Sequence, residues 1–278
     1  MTAFAQTFTP EQIAEFRANA EAGDALAQAM MGVLYDSGEG VPQDDATAVK
    51  WYTKAAEQGY PLAQYTLGYM YDNGDGVPED YATAVKWYTK AAEQGYAEAQ
   101  FNLGLMYRNG EGVAEDDAAA VKWYTNAAEQ GLVEAQYNLG SMYRDGQGVP
   151  EDDAAAVKWF TKAAEQGDAR GQAGLGSMYS RGEGVPREYA TAVKWFTKAA
   201  EQGDAHAQMK MGLSYRLGEG VPEDNVMAYM WLNLAAAQGE EGARELKGMF
   251  QDMMTPADIS KAQTLSRECL AKAYKNCG

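Results

Sequence analysis

The tryptophans of this chain recur at a fixed spacing, and this regularity restricts the fold more than any other feature. All six lie at one position of a 36-residue period: Trp51, Trp87, Trp123, Trp159, Trp195 and Trp231. Glycines keep the same step from Gly23 to Gly239. A fixed period of this length is typical of proteins built from repeats, in which each unit buries its apolar face against its neighbours. The sequence therefore predicts a stack of repeated units.

Each repeat contains two helical segments, as the unit between Gly59 and Gly95 illustrates. The first helix is predicted over residues 61–73, where apolar residues share one face at i, i+4, i+7 and i+8: Ala63, Leu67, Met70 and Tyr71. Gly68 interrupts this helix, and the other repeats carry a glycine at the same position: Gly32, Gly104, Gly140, Gly176 and Gly212. A glycine inside a helix costs about 1 kcal/mol relative to alanine. Its recurrence indicates a close approach between helices that a Cβ atom would block.

The second helix of the unit is predicted over residues 81–94. It follows a turn in which Gly74 accepts the left-handed conformation that ends a helix, and Asp80 is a good N-cap. The other repeats fill the cap position with Asp44, Asp116, Asp152, Asp224 and the poorer Glu188. The predicted buried stripe consists of Ala84, Trp87, Tyr88 and Ala91. Because the tryptophan lies among alanines on this stripe, we interpret the repeated tryptophans as core and not as a ligand platform.

The third unit shows the repeat pattern most clearly, in residues 99–107, 110–113, 120–124 and 127–131. This pattern resembles the Sel1-like repeat, a relative of the tetratricopeptide repeat. The resemblance implies an all-α fold, a right-handed α/α superhelical solenoid of six 36-residue helical hairpins with capping helices. It also implies a scaffold or adaptor for protein–protein contacts, often bacterial. The departures are Ala114, which replaces a proline of the other units, and extra glycines in the fifth unit.

Three parts are predicted along the chain. Residues 1–23 form an N-terminal capping helix that opens at Thr9 with a proline at N1. Residues 24–239 form six repeats, with the bounds 24–59, 60–95, 96–131, 132–167, 168–203 and 204–239. Residues 240–278 form a partial seventh unit and a C-terminal capping helix that opens at Thr255 by the same capping logic.

Composition limits the classes of partner. The chain has 23 basic and 40 acidic residues and a net charge of −17. This balance argues against binding to nucleic acid or to anionic membranes, since both need clustered Lys and Arg. No stretch approaches the roughly 20 apolar residues that span a bilayer, so membrane insertion is not expected. No intact signal peptide is recognised, although Ala3, Phe4 and Ala5 resemble the small-residue end of one.

The first helices carry the candidate binding surface, because the resemblance places them on the concave side of the solenoid. In the second unit, the positions outside the apolar face lie together at i, i+3, i+6 and i+7: Thr66, Tyr69, Asp72 and Asn73. Asn102 and Asn138 are 36 residues apart, and the resemblance implies that such amides clamp an extended peptide backbone. The residues at these positions differ between units, which suits a binding surface. Neutral variation on a solvated face remains the alternative.

A second stripe of the first helices changes charge along the chain, in the order Asp36, Asp72, Arg108, Arg144, Ser180 and Arg216. Its cations, with Arg181 and Lys210 nearby, predict a positive strip that favours carboxylate-rich peptides. The complete set of candidate binding residues is Tyr69, Asn73, Asn102, Arg108, Asn109, Asn138, Arg144, Arg181, Lys210 and Arg216. The fifth unit adds Gly171 and Gly174, which suit a hinge, a close ligand approach or simple drift.

No arrangement suited to catalysis, a cofactor or a metal is recognised. His206 is the only histidine, so no histidine pair for zinc exists. The chain also lacks a Gly-x-Ser-x-Gly elbow and a phosphate-binding glycine loop with lysine. The acidic turns miss the ligand spacing of the known calcium loop. We therefore expect a protein without enzymatic activity.

Cys269 and Cys277 can form a disulfide only if the last helix ends early. In an unbroken helix, eight residues rise by about 12 Å, which is too far for a disulfide. A bond requires the helix to end near Tyr274 and fold back, and the alternative is two free thiols. The resemblance of this tail to those of Sel1-like proteins makes the disulfide the preferred interpretation. Paired cysteines favour a periplasmic or secreted location over a cytoplasmic one.

The functional expectation is a protein- or peptide-binding scaffold that uses the concave groove of the solenoid, with a partner that is acidic in part. One alternative is a periplasmic immunity or envelope-assembly protein with one dedicated partner. A cell-wall-related hydrolase is a weaker alternative, because the sequence offers no nucleophile and base. A spacer without a ligand is the remaining one.

Overall fold

The computed structural model describes residues 8–277, and these contain helices, turns and connecting segments without a β-strand. The fifteen helices are α1 (Pro10–Glu21), α2 (Ala25–Ser37), α3 (Asp45–Glu57), α4 (Pro61–Asn73), α5 (Tyr81–Glu93), α6 (Ala97–Asn109), α7 (Asp117–Glu129), α8 (Val133–Asp145), α9 (Asp153–Glu165), α10 (Ala169–Arg181), α11 (Tyr189–Ala200), α12 (Ala205–Leu217), α13 (Asn225–Ala237), α14 (Glu241–Gln251) and α15 (Pro256–Ala271). The signal-peptide-like residues 3–5 lie outside the described part.

The chain divides into two compact units. The first comprises residues 1–135 and 147–149, and the second comprises residues 136–146 and 150–278. In the first unit each helix from α1 to α7 packs against the next. The second unit shows the same packing from α9 to α14, and α15 also packs on α13. The pairwise packing of consecutive helices within each unit, together with six repeats of about 36 residues, confirms the predicted all-α solenoid of helical hairpins.

The glycine inside each first helix lies under a ring or branched side chain of the second helix. A Cβ atom added to Gly68 would lie 2.7 Å from Cδ1 of Tyr88, closer than real Cβ contacts. The other repeats show the same arrangement in the pairs Gly32 with Tyr52, Gly104 with Tyr124, Gly140 with Phe160, Gly176 with Phe196, and Gly212 with Leu232. The predicted close approach of the helices is thus confirmed. A side chain of the second helix packs directly on the glycine backbone of the first.

The predicted helix ends are also observed. Asp80 accepts a hydrogen bond from the backbone N–H of Thr83 at 3.0 Å, and Gly74 ends α4 in the left-handed conformation with φ 76°. Asp44, Asp116, Asp152 and Asp224 cap their helices through the same side-chain oxygen. Glu188 makes no side-chain cap bond, as expected of a longer side chain at this position. The caps therefore define where each second helix begins.

Six pairs of glutamines join the two helices of each hairpin and also bond backbone carbonyls of the preceding unit, and sequence reasoning missed them. Gln64 is 3% exposed and donates through Nε2 to the carbonyl of Ala56 at 3.0 Å, while Gln94 donates to Oε1 of Gln64 at 2.7 Å. The other pairs are Gln28–Gln58, Gln100–Gln130, Gln136–Gln166, Gln172–Gln202 and Gln208–Gln238, all at 2.8 Å. A buried amide has to keep such partners, so these bonds fix how one hairpin sits on the next.

The tryptophans pack as core residues, as predicted. Trp231 is 1% exposed, Trp87 and Trp159 are also buried, and the remaining three are half-buried. Lysine ammonium groups cover the outer side of several rings, for example Lys90 Nζ at 4.3 Å from the Trp87 ring centroid. Such a lysine keeps its charge in water while its stem covers apolar surface.

The end of the chain folds back on the second unit. Beyond α15 the backbone of Ala273, Tyr274 and Asn276 is left-handed, and Cys277 forms a disulfide with Cys269. The N–H of Asn276 donates to Oε1 of Glu201 at 3.0 Å. A disulfide was predicted to require that the last helix end near Tyr274. In the structure, α15 ends at Ala271. Within the described residues, no helix is long and apolar enough to cross a membrane.

Candidate protein-binding surface

The exposed sides of α2, α4, α6, α8, α10 and α12 form what we call the first-helix face. Its repeated glycine, alanine and glutamine positions face the hairpin partner and are buried. The remaining positions carry different residues in each repeat. In α4 they include Tyr69, a large side chain that is 46% exposed, and Asn73, whose Nδ2 donates to the Tyr69 carbonyl at 2.9 Å. In α6, Asn109 is exposed and donates to Glu111.

Asn102 belongs to a hydrogen-bonded relay in the first unit. Its Nδ2 donates to the hydroxyl of Tyr88 at 3.1 Å, and this hydroxyl donates to Oδ2 of Asp72 at 3.2 Å. Burial raises the pKa of Asp72, and the Tyr88 hydroxyl lowers it again. The Asn102 amide also hydrogen-bonds the Tyr65 side chain. The predicted clamp of a peptide backbone by Asn102 therefore has fewer groups to use than a fully exposed amide would.

The charged stripe is acidic at its start. Burial, together with the charges of Asp45 and Asp75, raises the pKa of Asp36. Arg108 is half-buried and donates through Nη2 to Oε1 of Gln147 at 3.4 Å. In the first unit the stripe thus consists of two carboxyl groups and one guanidinium.

In the second unit most of the predicted cations have a nearby carboxylate. Arg144 makes two bonds to Asp145, at 2.7 and 2.9 Å, which raise its pKa. Arg216 pairs with Glu223 at 3.1 Å, and Arg181 with Glu183 at 3.6 Å. The strip is therefore less positive than the sequence order alone indicates. Exposed ion pairs of this kind contribute roughly 0–1 kcal/mol, so a ligand carboxylate can replace the protein's own.

Three of the predicted cations come together in the second unit. Arg144 and Arg181 line one cavity of about 400 Å³ together with the carboxylates of Asp145, Glu151, Asp153 and Glu183, and Arg181 and Lys210 line another of about 200 Å³. Burial and the charge of Arg181 lower the pKa of Lys210. Arg216 lies apart from these cavities, with its guanidinium 5.6 Å from the Phe250 ring centroid. Asn138 is half-buried in α8 beside Tyr137.

A further cavity of about 260 Å³ contains residues that sequence reasoning passed over. Its walls include Tyr137, Arg144, Arg170, Gly174, Asp204 and His206. The sequence signal was present, because the fifth repeat replaces a large residue pair of its neighbours by Ala173 and Gly174. Sequence reasoning noted Gly174 and offered a hinge, a close ligand approach or drift, but it did not identify the arginines that lie around the space left by the small pair. Among the described residues, no group of three or more His, Cys, Asp or Glu is arranged to hold a metal ion.

The hairpin repeats and the variable face define a class of helical-repeat scaffold. The Sel1 repeat model matches six consecutive segments of the chain: residues 25–60, 61–96, 97–132, 133–168, 169–204 and 205–240. The chain therefore belongs to the Sel1 repeat family, as its sequence pattern predicted. Proteins of this family are typically non-enzymatic scaffolds and generally mediate protein–protein interaction.

Two solved structures show how far the similarity extends. A protective antigen present in uropathogenic Escherichia coli strains is 39% identical, with a TM-score of 0.81 over 95% of this chain. This chain covers 57% of that longer protein. A Sel1 repeat protein from Oxalobacter formigenes is 34% identical, with a TM-score of 0.74 over 88% of this chain and 96% of its own. The search among curated proteins gave no match.

Proposed function

We propose that this protein is a scaffold whose first-helix face binds a partner protein or an extended segment of one. The observation that supports this is the contrast within each first helix. The positions that pack on the second helix repeat from unit to unit, whereas the exposed positions change. One such position reads Ser37, Asn73, Asn109, Asp145, Arg181 and Leu217 along the chain. A solenoid that served only as a spacer would have no need of different chemistry at each step.

The chemistry of the face suits different parts of a partner. In the first unit, Tyr69, Asn73 and Asn102 offer an aromatic ring and amides that bind a neutral peptide backbone. In the second unit, Arg144, Arg181 and Lys210 suit acidic side chains, since guanidinium groups bind carboxylates with two parallel hydrogen bonds. The proposed partner is therefore a protein with an acidic stretch. Such a partner is unexpected for this chain, because the chain itself carries a net charge of −17.

The test is capture of partners from native extract by three immobilised proteins. The first is the unaltered chain. The second, the face variant, carries Asn102→Ala, Arg108→Ala, Asn138→Ala and Arg144→Ala. The matched control carries Lys86→Ala, Lys122→Ala, Lys158→Ala and Lys194→Ala, which remove four exposed cations of the second helices.

The expected result is a partner that the unaltered protein and the control both retain and that the face variant loses by tenfold or more. Circular dichroism should show equal helix content in all three proteins. Equal capture by the face variant and the control would move the binding surface elsewhere and contradict the proposal. Capture of one single protein by the unaltered chain would favour a dedicated partner over a general adaptor.

A further inference from the structure

The cavity of about 260 Å³ in the second unit lies where the fifth repeat departs from the repeats before and after it. Ala173 and Gly174 occupy two positions of the first-helix face that carry larger residues in neighbouring repeats. The equivalent pairs are Tyr65–Thr66, Phe101–Asn102, Tyr137–Asn138 and Met209–Lys210. The cavity is the volume that a ring and an amide would otherwise fill. It is smaller than the roughly 300–1,000 Å³ of pockets for drug-sized ligands, and it suits one side chain.

One aromatic ring, that of Tyr137, lines this cavity. Tyr137 packs against Phe160 with ring centroids 5.9 Å apart, and Phe160 lies behind Gly174, where an added Cβ atom would be 3.1 Å from Cδ1 of the ring. The guanidinium of Arg170 is 4.7 Å from the Tyr137 ring centroid, which holds it at the wall of the cavity. The methylene groups of a bound side chain can contact the Tyr137 ring.

Two guanidinium groups reach the same cavity, those of Arg144 and Arg170. Each carries five N–H donors. Arg144 bonds Asp145 with two of them, and Arg170 bonds Asp168 with one, at 3.2 Å. Both arginines remain partly exposed, so further donors can turn towards a ligand.

One carboxyl group, that of Asp204, lines the cavity beside these cations, and it accepts a hydrogen bond from the N–H of Ala207 at 2.7 Å as the cap of α12. Burial raises the pKa of Asp204. Burial and the charge of Lys210 lower the pKa of His206, so the imidazole adds a neutral hydrogen-bonding group.

We infer that this cavity, which we call the Arg170 pocket, is a subsite that binds one carboxylate of a partner protein. The two guanidinium groups bind the carboxylate oxygens, and the side chain or chain end that carries them rests on the Tyr137 ring. The inference rests on the proposed function, because it names the chemical group that the first-helix face of the second unit selects. A glutamate or aspartate side chain and a chain-terminal carboxylate present the same chemistry.

The probes are three peptides titrated into the isotopically labelled full chain and followed by the NMR signals of the Gly174 N–H and the Arg170 side chain. One peptide is acetyl-Gly-Gly-Glu-Gly-Gly-amide, and its counterpart contains Gln in place of Glu. The third has five glycines, an acetylated start and a free carboxyl end. Saturable shifts with the Glu peptide or the free-ended peptide support the inference, and the stronger of the two identifies the source of the carboxylate. The Gln peptide should bind about ten- to hundredfold more weakly, as expected when a charge-assisted hydrogen bond is lost.

Two variants test whether the binding belongs to the Arg170 pocket. Ala173→Tyr should fill it, and the fold accommodates this residue, because Tyr65 and Tyr137 occupy the same position and pack on Tyr88 and Phe160. Arg170→Gln keeps an unbranched polar side chain and removes the charge. Lys194→Gln removes one exposed positive charge from α11 and is the matched control.

Ala173→Tyr and Arg170→Gln should each weaken carboxylate binding by tenfold or more, and Lys194→Gln should leave it within twofold. Equal binding of the Glu and Gln peptides would overturn the inference, as would unchanged binding by Ala173→Tyr or no saturable shift with any peptide. The capture experiment separates this result from the broader proposal. If the face variant loses its partner while these peptides fail to bind, only the Arg170 pocket is wrong.

Discussion

Individual residues decide how closely the two helices of a hairpin approach. Gly68 supports the Tyr88 ring, and Tyr88 in turn carries the hydroxyl that connects Asn102 to Asp72. The missing side chain of Gly68 therefore determines how closely the Tyr88 ring packs on α4. The position of this ring in turn fixes Asn102 and Asp72 on the first-helix face. In the fourth and fifth repeats the ring is Phe160 or Phe196, which keeps the packing without the hydroxyl.

The first prediction concerns Gly68→Ala. The new Cβ atom would lie 2.7 Å from Cδ1 of Tyr88, so the ring or the helix has to move. Overpacking of this kind costs about 1–3 kcal/mol of unfolding free energy, which urea denaturation would measure. The control is Gly248→Ala in α14, where nothing lies within 4 Å of the new atom. That change should stabilise the protein by about 0.5–1 kcal/mol, and equal effects of the two substitutions would contradict the packing argument.

The second prediction concerns the pH dependence of the Tyr88 relay. Burial raises the pKa of Asp72 above its ordinary value, so the folded protein binds this proton more tightly than the unfolded chain. The carboxyl group therefore favours folding most at low pH, and this contribution is lost as the pH rises through the folded pKa. Tyr88→Phe removes the hydroxyl that bonds the carboxylate and should raise the pKa of Asp72 further.

Two measurements check this sign. A carboxyl-carbon NMR titration should show the Asp72 pKa moving upwards in Tyr88→Phe. Urea denaturation should show a loss of stability at neutral pH that shrinks as the pH falls below that pKa. When Asp72→Asn is already present, the stability change caused by Tyr88→Phe should no longer depend on pH. A downward shift of the pKa would mean that the hydroxyl does not stabilise the charged form.

At the scale of helices, the hairpins are connected by polar bonds inside an apolar stack. Gln64 and Gln94 connect the first two hairpins by donating to the carbonyls of Ala56 and Gly59, and a bond between the two side chains joins α4 to α5. We predict that Gln64→Leu destabilises the protein by about 1–3 kcal/mol, because it leaves polar groups without their partner in a buried place. The control Gln43→Leu alters an exposed glutamine and should change stability by less than about 0.5 kcal/mol. If thermal denaturation shows the two variants alike, the glutamine pairs do not stabilise the stack.

The start of α11 gives the fourth prediction. Glu188 makes no side-chain bond at the cap, whereas Asp152 accepts from the N–H of Ala155 at 2.9 Å. Glu188→Asp should supply this bond and raise the unfolding free energy by about 0.5–1 kcal/mol. The reverse change, Asp152→Glu, should lower it by a similar amount. Chemical denaturation would measure the unfolding free energy of both variants against the unaltered chain. Changes of the same sign in the two variants would contradict the role of the cap.

Helices, caps and core were predictable because each signal occurs several times at the same step. One aspartate before a helix is weak evidence, but the repetition of Asp44 and Asp80 at equivalent positions is not. The glutamine pairs could have been found in the same way, since both members recur at this step. The ion pair of Arg216 with Glu223 could not, because Glu223 lies in a turn whose position a helix pattern does not predict. The position of the Arg170 pocket is marked in the sequence by the small pair Ala173 and Gly174, but the placement of the arginines that line it is not.

At the scale of the whole molecule, the two units are stabilised by contacts between consecutive helices. In such repeat proteins the stability is approximately a sum of repeat stabilities and nearest-neighbour interfaces. The consequence is that a local change should affect its own neighbourhood most. The end of the chain tests this property well, because Tyr274 and Asn276 contact Gly203 and Glu201 far away in sequence. The disulfide between Cys269 and Cys277 holds these two residues in place.

The last prediction is that Cys269→Ser with Cys277→Ser loosens the second unit and spares the first. The short loop that the disulfide closes contributes about 2–3 kcal/mol in the chain-entropy model. Its loss should release Asn276 from Glu201 and weaken the packing of α15 on α13, where Ser266 Oγ donates to the Met230 carbonyl at 3.2 Å. Amide hydrogen exchange should accelerate in α13 and α15 and stay unchanged in α2 to α4. Equal acceleration along the whole chain would instead show that the protein unfolds as one cooperative body, and the additive account of its repeats would then be wrong.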